Sequence, residues 1–143
     1  MIERGIKIMD IIKAAEELLK KNQVCQVASV TEKGYPRIII MIPLKTEGIK
    51  TFYFSTAASS KKIEHFKKNP KAGVTFYDQH DSVTLTGEMS IVTDKALKDS
   101  LWCDWIAKHF QNGGKDDPEY TVVKFVTHEG DIYVNEQFER VSF

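Results

Sequence analysis

The chain is poor in the features that mark the commonest special classes of protein. It has two cysteines, Cys25 and Cys103, far apart and in no C-x-x-C pair. Two lone thiols supply neither a disulfide framework nor a thiolate metal site, and they fit a reducing compartment. No apolar run approaches the ~18 residues of a membrane-spanning helix. Glu3 and Arg4 stand where a secretory leader would turn apolar. A cytoplasmic protein that does not touch membrane is the expectation. Neither sign of charge is in excess, since twenty basic and twenty acidic residues cancel; nothing global draws the chain to nucleic acid or to an anionic membrane. His65, His80, His109 and His128 show no H-x-x-x-H spacing, so no metal site is expected, and each reads as a surface or turn residue. The G-x-S-x-G, Walker and G-x-G-x-x-G loops are missing too, which removes the usual hydrolase and nucleotide signatures. No repeat, linker or low-complexity tract divides the 143 residues, a length that fits one domain, 1–143.

What the chain does contain is a dense series of short strand patterns. Val24–Val30, Arg37–Ile42 and Ile49–Ser55 are separated by turns at 31–34 and at Glu47-Gly48, and read as an antiparallel meander. The second of these is apolar on both faces. Such a strand is buried on both sides, or turns one face to a ligand or a second subunit. Ala72–Tyr77 reads as a fourth strand. In Ser82–Val92, Val83, Leu85, Met89 and Ile91 alternate with Ser82, Thr84, Thr86, Glu88 and Ser90, and Gly87 marks a bulge or corner. Two last strands, Tyr120–Thr127 and Ile132–Asn135, are expected around a turn at 128–131. The helices are fewer. One covers 7–22, with Ile8, Ile11, Ile12, Ala15, Leu18 and Leu19 on one face. A short one runs from Lys61 to Asn69, and a third covers 94–110, started by Thr93 or Asp94. The third carries Trp102 and Trp105, expected in core or interface. Six or seven strands with three peripheral helices make a mainly β fold, a barrel or sandwich; a doubly wound parallel sheet would need a helix between nearly every strand pair.

The stretch with most chemical content is Phe52–Pro70. An aromatic strand end breaks into small residues, Ser55 to Ser60, and restarts as the Lys61 helix, with Ser59 or Ser60 as N-cap. Lys61 and Lys62 sit in the first helical turn, where a cation opposes the helix macrodipole by roughly 0.3–1 kcal/mol. A bound anion reverses that sign, because backbone N–H groups, seryl hydroxyls and ammonium groups then converge on it. Two readings stand at this level: a phosphate-binding strand–loop–helix, or two solvated lysines on a helix where Glu64 pairs with Lys67 or Lys68. Elsewhere Cys25 is expected to be buried and inert mid-strand, Cys103 has no evident base, and Asp116-Asp117 reads as a solvated turn.

Gly34-Tyr35-Pro36, the apolar strand to Met41, Phe54-Ser55-Thr56, Ser60-Lys61-Lys62, Asn69-Pro70 and the Val83–Gly87 strand follow one another with consistent gaps. With Trp102 and Asp117-Pro118, this series resembles the pyridoxamine 5′-phosphate oxidase-like family of FMN-binding split barrels, and its small general-stress-protein branch in particular. The resemblance implies a six- to seven-stranded, Greek-key-like antiparallel split β-barrel that forms a homodimer with FMN at the interface. It implies phosphate contacts from Ser55, Thr56, Ser60, Lys61 and Lys62, and a flavin ring along Arg37, Ile38, Ile39, Ile40 and Met41. The partner subunit's Ser82 and the partner subunit's Thr84 would complete the pocket. Two departures matter. The family oxidase keeps an arginine at the position of Ile39 and a lysine at that of Leu44; Arg37, two residues before Ile39 on the same strand face, is the candidate substitute. Gln137–Phe143 lacks the oxidase's arginine–histidine substrate motif, so true pyridoxamine 5′-phosphate oxidase activity is not expected. What remains implied is a flavin-dependent oxidoreductase of open substrate with no catalytic residue assigned. The alternatives are a non-catalytic flavin-binding stress protein, and a split barrel using deazaflavin F420 or haem; haem would need an axial histidine that the pocket strands lack.

Overall fold

Apolar periodicity sets the first element. The computed structural model describes residues 2–143, with side chains from residue 7 on, so those of Glu3 and Arg4 lie outside the described residues. Helix α1 spans Ile2–Lys21 and begins before the periodic stretch does. Its stripe is the packed one: Ile11, Ala15, Leu18 and Leu19 are buried and Ile8 and Ile12 lean on the same core. No helix among the described residues is long and apolar enough to cross a membrane.

The strands are β1 (Cys25–Val30), β2 (Pro36–Met41), β3 (Lys45–Glu47), β4 (Thr51–Ala57), β5 (Lys71–Asp78), β6 (Asp81–Ile91), β7 (Tyr120–Val134) and β8 (Gln137–Ser142). Helix α2 (Lys61–Lys68) joins β4 to β5, and α3 (Lys95–Ser100) follows β6. All pairings are antiparallel, in the order β2-β1-β5-β6-β7-β4-β3, with β8 added to β7. The mainly β class with peripheral helices holds, with eight strands among the described residues rather than six or seven. The expected turn at 128–131 is not there: β7 is one strand of 15 residues. Gly130 is a packing glycine, since a Cβ there would lie 2.8 Å from Leu85 Cδ2. The polar run His128–Asp131 stays extended because β6 and β8 pair with it on both edges. Gly87 carries the expected irregularity. The β6–β7 register slips between Thr86 and Gly87, and a Cβ at Gly87 would meet the Val126 carbonyl oxygen at 2.0 Å.

The helix expected over 94–110 is two pieces. Asp94 caps α3 by accepting the N–H groups of Ala96 and Leu97. After Leu101 the chain passes through an extended Cys103 (φ −130°, ψ 144°) into a 3₁₀ turn at Asp104–His109. This segment covers a second, smaller core of Tyr53, Leu101, Ile106, Phe110, Tyr120 and Val122. The main core is built on Phe52 of β4, whose ring centroid lies 6.1, 6.3 and 6.0 Å from those of Phe54, Phe76 and Phe125. Ile39 and Met41 of β2 pack on that same core. The sheet therefore curls until β2 approaches the β4 end, yet its terminal strands β2 and β3 do not pair. The barrel is split, and the seam runs beside β2.

Candidate functional site

An edge strand leaves half of its N–H and C=O groups unpaired. β2 is such an edge, and its free side faces the seam. There, residues Ile39 to Ile42 share a cleft of ≈ 480 Å³ with Ser55 and Thr56 of β4, Lys62 of α2, and Trp105, Ile106 and His109 of the 3₁₀ turn. Sequence alternation orients the strand: Arg37, Ile39 and Met41 are half-buried, while Ile38 and Ile40 are 66% and 71% exposed. The strand that read as apolar on both faces thus has one face on the core and the other open.

The cleft holds one cation, Lys62, and a second, Arg37, acts on it from beside the lining. Arg37 Nη1 is buried without a hydrogen-bond partner, a condition shared among the described residues only with Gln26 Oε1. Burial, and then the charge of Arg37, pull the half-buried Lys62 ammonium below the ordinary lysine range. No carboxylate lines the cleft, so neither cation is compensated there. The turn before α2 adds hydroxyls. Thr56 Oγ1 and Ser60 Oγ lie 3.2 Å apart, and the Ser60 side chain makes no cap bond to α2. Ser59 is otherwise engaged, donating its N–H and its hydroxyl to Glu119 Oε2 at 3.2 and 2.7 Å. The start of α2 therefore brings together uncapped N–H groups, two hydroxyls bonded only to each other and a partly desolvated ammonium.

Of the residues singled out in the sequence, Ile39, Ile40, Met41, Ser55, Thr56 and Lys62 line the cleft together. Arg37 reaches it electrostatically through Lys62, and Ser60 through Thr56. Ile38 faces outward, Lys61 is exposed and does not line the cleft, and Ser82 and Thr84 on β6 are not among its walls. Trp105, expected in core or interface, and His109, expected as a surface or turn residue, both line the cleft. Their placement depends on the break at Cys103, which the apolar pattern of 94–110 does not announce. Other assignments change. His65 is a buried residue of α2, with Nδ1 at 3.4 Å from Ser29 Oγ, not a surface histidine. Asp117 is also buried, accepting the N–H groups of Asn112 and Glu119 at 2.9 Å each, whereas Asp116 is exposed and paired with Lys95. Lys68 pairs with Glu32. Cys25 is buried as expected, its thiol pushed up to about 12 by desolvation. No metal-holding cluster of His, Cys, Asp or Glu occurs among the described residues.

A split antiparallel barrel with a lysine-bearing cleft in its seam is the class that this fold and geometry define. The pyridoxamine 5′-phosphate oxidase family pattern matches residues 11–133, and the chain belongs to that family. Among solved structures it is similar to a Clostridium acetobutylicum protein related to general stress protein 26 of B. subtilis, of the pyridoxinephosphate oxidase family. The identity is 31% over 94% of this chain and 95% of that one, with a TM-score of 0.83. General stress protein 26 from Bacillus anthracis shares the fold at 20% identity, 92% and 98% coverage and a TM-score of 0.76. A nimC/nimA family protein from Clostridium acetobutylicum does so at 23% identity, 94% and 93% coverage and a TM-score of 0.72. Comparison with curated proteins gave no match.

Proposed function

We propose that the chain binds FMN in the seam cleft and acts as a flavin-dependent oxidoreductase, with phosphate against Arg37, Lys62 and the 55–60 turn and the ring along β2. The observation that carries this is the half-buried Lys62 in a cleft lined by no carboxylate, with the buried, unpartnered Arg37 Nη1 acting on it from beside the lining. A buried donor without a partner costs about 1–3 kcal/mol, so a sequence that keeps one has a use for it when something binds. A phosphate offsets that cost by accepting charge-assisted hydrogen bonds from both cations. Ser60, Thr56 and the first N–H groups of α2 add neutral donors. Ile39 to Ile42 make an apolar wall that suits a flat ring and excludes water from it, while the seam-facing amides of β2 can meet the ring's polar edge. Arg37 then does the work of the family arginine from two positions upstream of Ile39. Bound there, FMN would supply the hydride and electron chemistry, the protein's part being position and electrostatics.

The site is completed, in this proposal, by a second copy of the chain. The outward face of the sheet exposes Ile38, Ile40, Tyr77, Tyr133 and Phe138 among polar neighbours such as Thr84, Asp131 and Arg140, large side chains that a second copy could cover. The partner subunit's Ser82 and the partner subunit's Thr84 reach the ring from there. The test is the absorbance of the purified protein and mass spectrometry of what denaturation releases. A flavin band near about 450 nm and release of FMN are expected. Protein that stays colourless through FMN titration ends the proposal, and a Soret band would turn it to haem. Arg37→Ala and Lys62→Ala should each weaken FMN binding by about 1.5–3 kcal/mol and riboflavin binding hardly at all.

One observation favours binding without turnover as the second reading. No carboxylate lines the cleft and its one imidazole, His109, is exposed, so no proton-transfer pair faces the ring. Anaerobic, photoreduced protein mixed with nicotinamide cofactors and small electron acceptors separates the two. Reoxidation by none of them leaves the binding reading.

A further inference from the structure

We propose that Trp105 is the ring-covering residue that this chain itself supplies to the cleft, its indole packing on the aromatic ring held along β2. The inference rests on the FMN reading and assigns a function to a residue that the reading leaves unused.

In an unbroken helix, Trp102 and Trp105 would be three residues apart on one face. They part company because Cys103 is extended. Trp102 turns inward, its ring 5.1 Å from Tyr120 in a T-shaped contact and 6.1 Å from Phe110. Trp105 is left on the cleft wall, 49% exposed. The next residue, Ile106, is 1% exposed and Phe110 is buried, so the turn that carries Trp105 is pinned to the second core on its other side. A large apolar side chain is thus held half in water by an anchored segment. Its companions in the cleft lining are the apolar residues Ile39 to Ile42 and the cation Lys62, on which Arg37 acts from beside the lining. Apolar surface from two separate elements with a lysine in the same lining fits a planar aromatic molecule that carries an anionic group. Covering such a ring would withdraw the indole from water and add an aromatic contact.

The experiment uses FMN and riboflavin as probes on the full chain, with Trp105→Ala, Trp105→Phe and Trp102→Phe. Trp105→Ala should weaken both flavins by the same factor, about tenfold, because the contact is with the ring they share. Loss of Arg37 or Lys62 should instead reduce the preference for FMN over riboflavin. An indole in contact with flavin quenches its emission, so bound-flavin fluorescence should rise several-fold in Trp105→Phe, which keeps an aromatic ring and the fold. It should not rise in Trp102→Phe. If both Trp105 variants bind flavin with unchanged affinity and unchanged emission, the inference is wrong while the FMN site stands. If the wild-type chain binds neither flavin, the site and the inference fall together.

Discussion

A lysine ammonium half withdrawn from water beside a guanidinium loses hydration and meets like charge. Lys62 is accordingly less willing to hold its proton than in solvent, by burial first and by Arg37 second. In the pH window between that lowered value and the ordinary 10.5, the unfolded chain binds more protons than the folded one, and stability rises with pH across it. Below the window the penalty is fully present. Lys62→Met should therefore raise the melting temperature of the ligand-free protein slightly at about pH 7, the gain fading by about pH 10, and should weaken FMN binding throughout. The half-exposed position keeps the gain small. Urea melts of both proteins at the two pH values check it; a variant no more stable than wild type near neutrality would remove the desolvation argument. Gly87 lies at the opposite extreme. Its missing Cβ would stand 2.0 Å from a carbonyl oxygen and 2.9 Å from the carbonyl carbon of Val126, backbone atoms that cannot swing away. Gly87→Ala should cost roughly 3 kcal/mol or more in denaturant unfolding, and a loss under 1 kcal/mol, about the ordinary surface range, would mean that the bulge relaxes.

Elements were legible where one local pattern decided them, and obscure where a distant contact did. α1, β6 with its Gly87 bulge and the strand–turn–helix of Phe52–Lys68 follow from periodicity, capping and turn residues that neighbour one another in sequence. The stretch from Ser55 to Lys62 stands out on the same local grounds, whereas Ile39 to Met41 enter as a ring wall only through the family resemblance. β8 escaped because its hairpin turns on Asn135-Glu136, with φ of 53° and 64°. The usual signal there is Asn-Gly, and a glutamate at positive φ is not one. The turn expected at 128–131 failed for a related reason, because Gly130 makes room for Leu85 and does not bend the chain. The loop before β7 shows the principle energetically. Asp117 looked like one half of a solvated pair, yet its carboxylate gathers two backbone N–H groups across 112–119. That fixes Glu119, whose carboxylate in turn holds Ser59 beside the start of α2. Asp117→Ala should cost about 1–3 kcal/mol, and Asp117→Asn less, since the amide oxygen still accepts one bond. Hydrogen exchange should quicken at Ser59 and Glu119 in Asp117→Ala alone; protection unchanged at Ser59 would show that the loop and the α2 entry are independent.

At the scale of the molecule, the rows of the sheet explain why the cleft and the outward face belong to one problem. Across the strands, Ile40, Gln26, Thr75, Thr84, Asp131 and Arg140 stand side by side. The next row toward the β5–β6 turn carries Tyr77, Ser82, Tyr133 and Phe138. Ser82 and Thr84 therefore share a face with the exposed Ile40 and Tyr77, and cannot reach the seam cleft of their own chain, which opens past the β2 edge. In the proposed dimer they would reach it from a second copy packed on that face. An isologous contact uses the same patch on both copies, so each subunit would supply β6 residues to the other's cleft. Tyr77→Glu combined with Phe138→Glu tests this without touching a side chain that lines the cleft. Two charges per copy at an apolar contact should convert dimer to monomer in sedimentation and, if the second copy completes the site, weaken FMN binding at least tenfold, about 1.4 kcal/mol. A monomeric variant that binds FMN as tightly as wild type would leave the site whole within one chain and make association a separate property. A variant that stays dimeric would move the contact off this face.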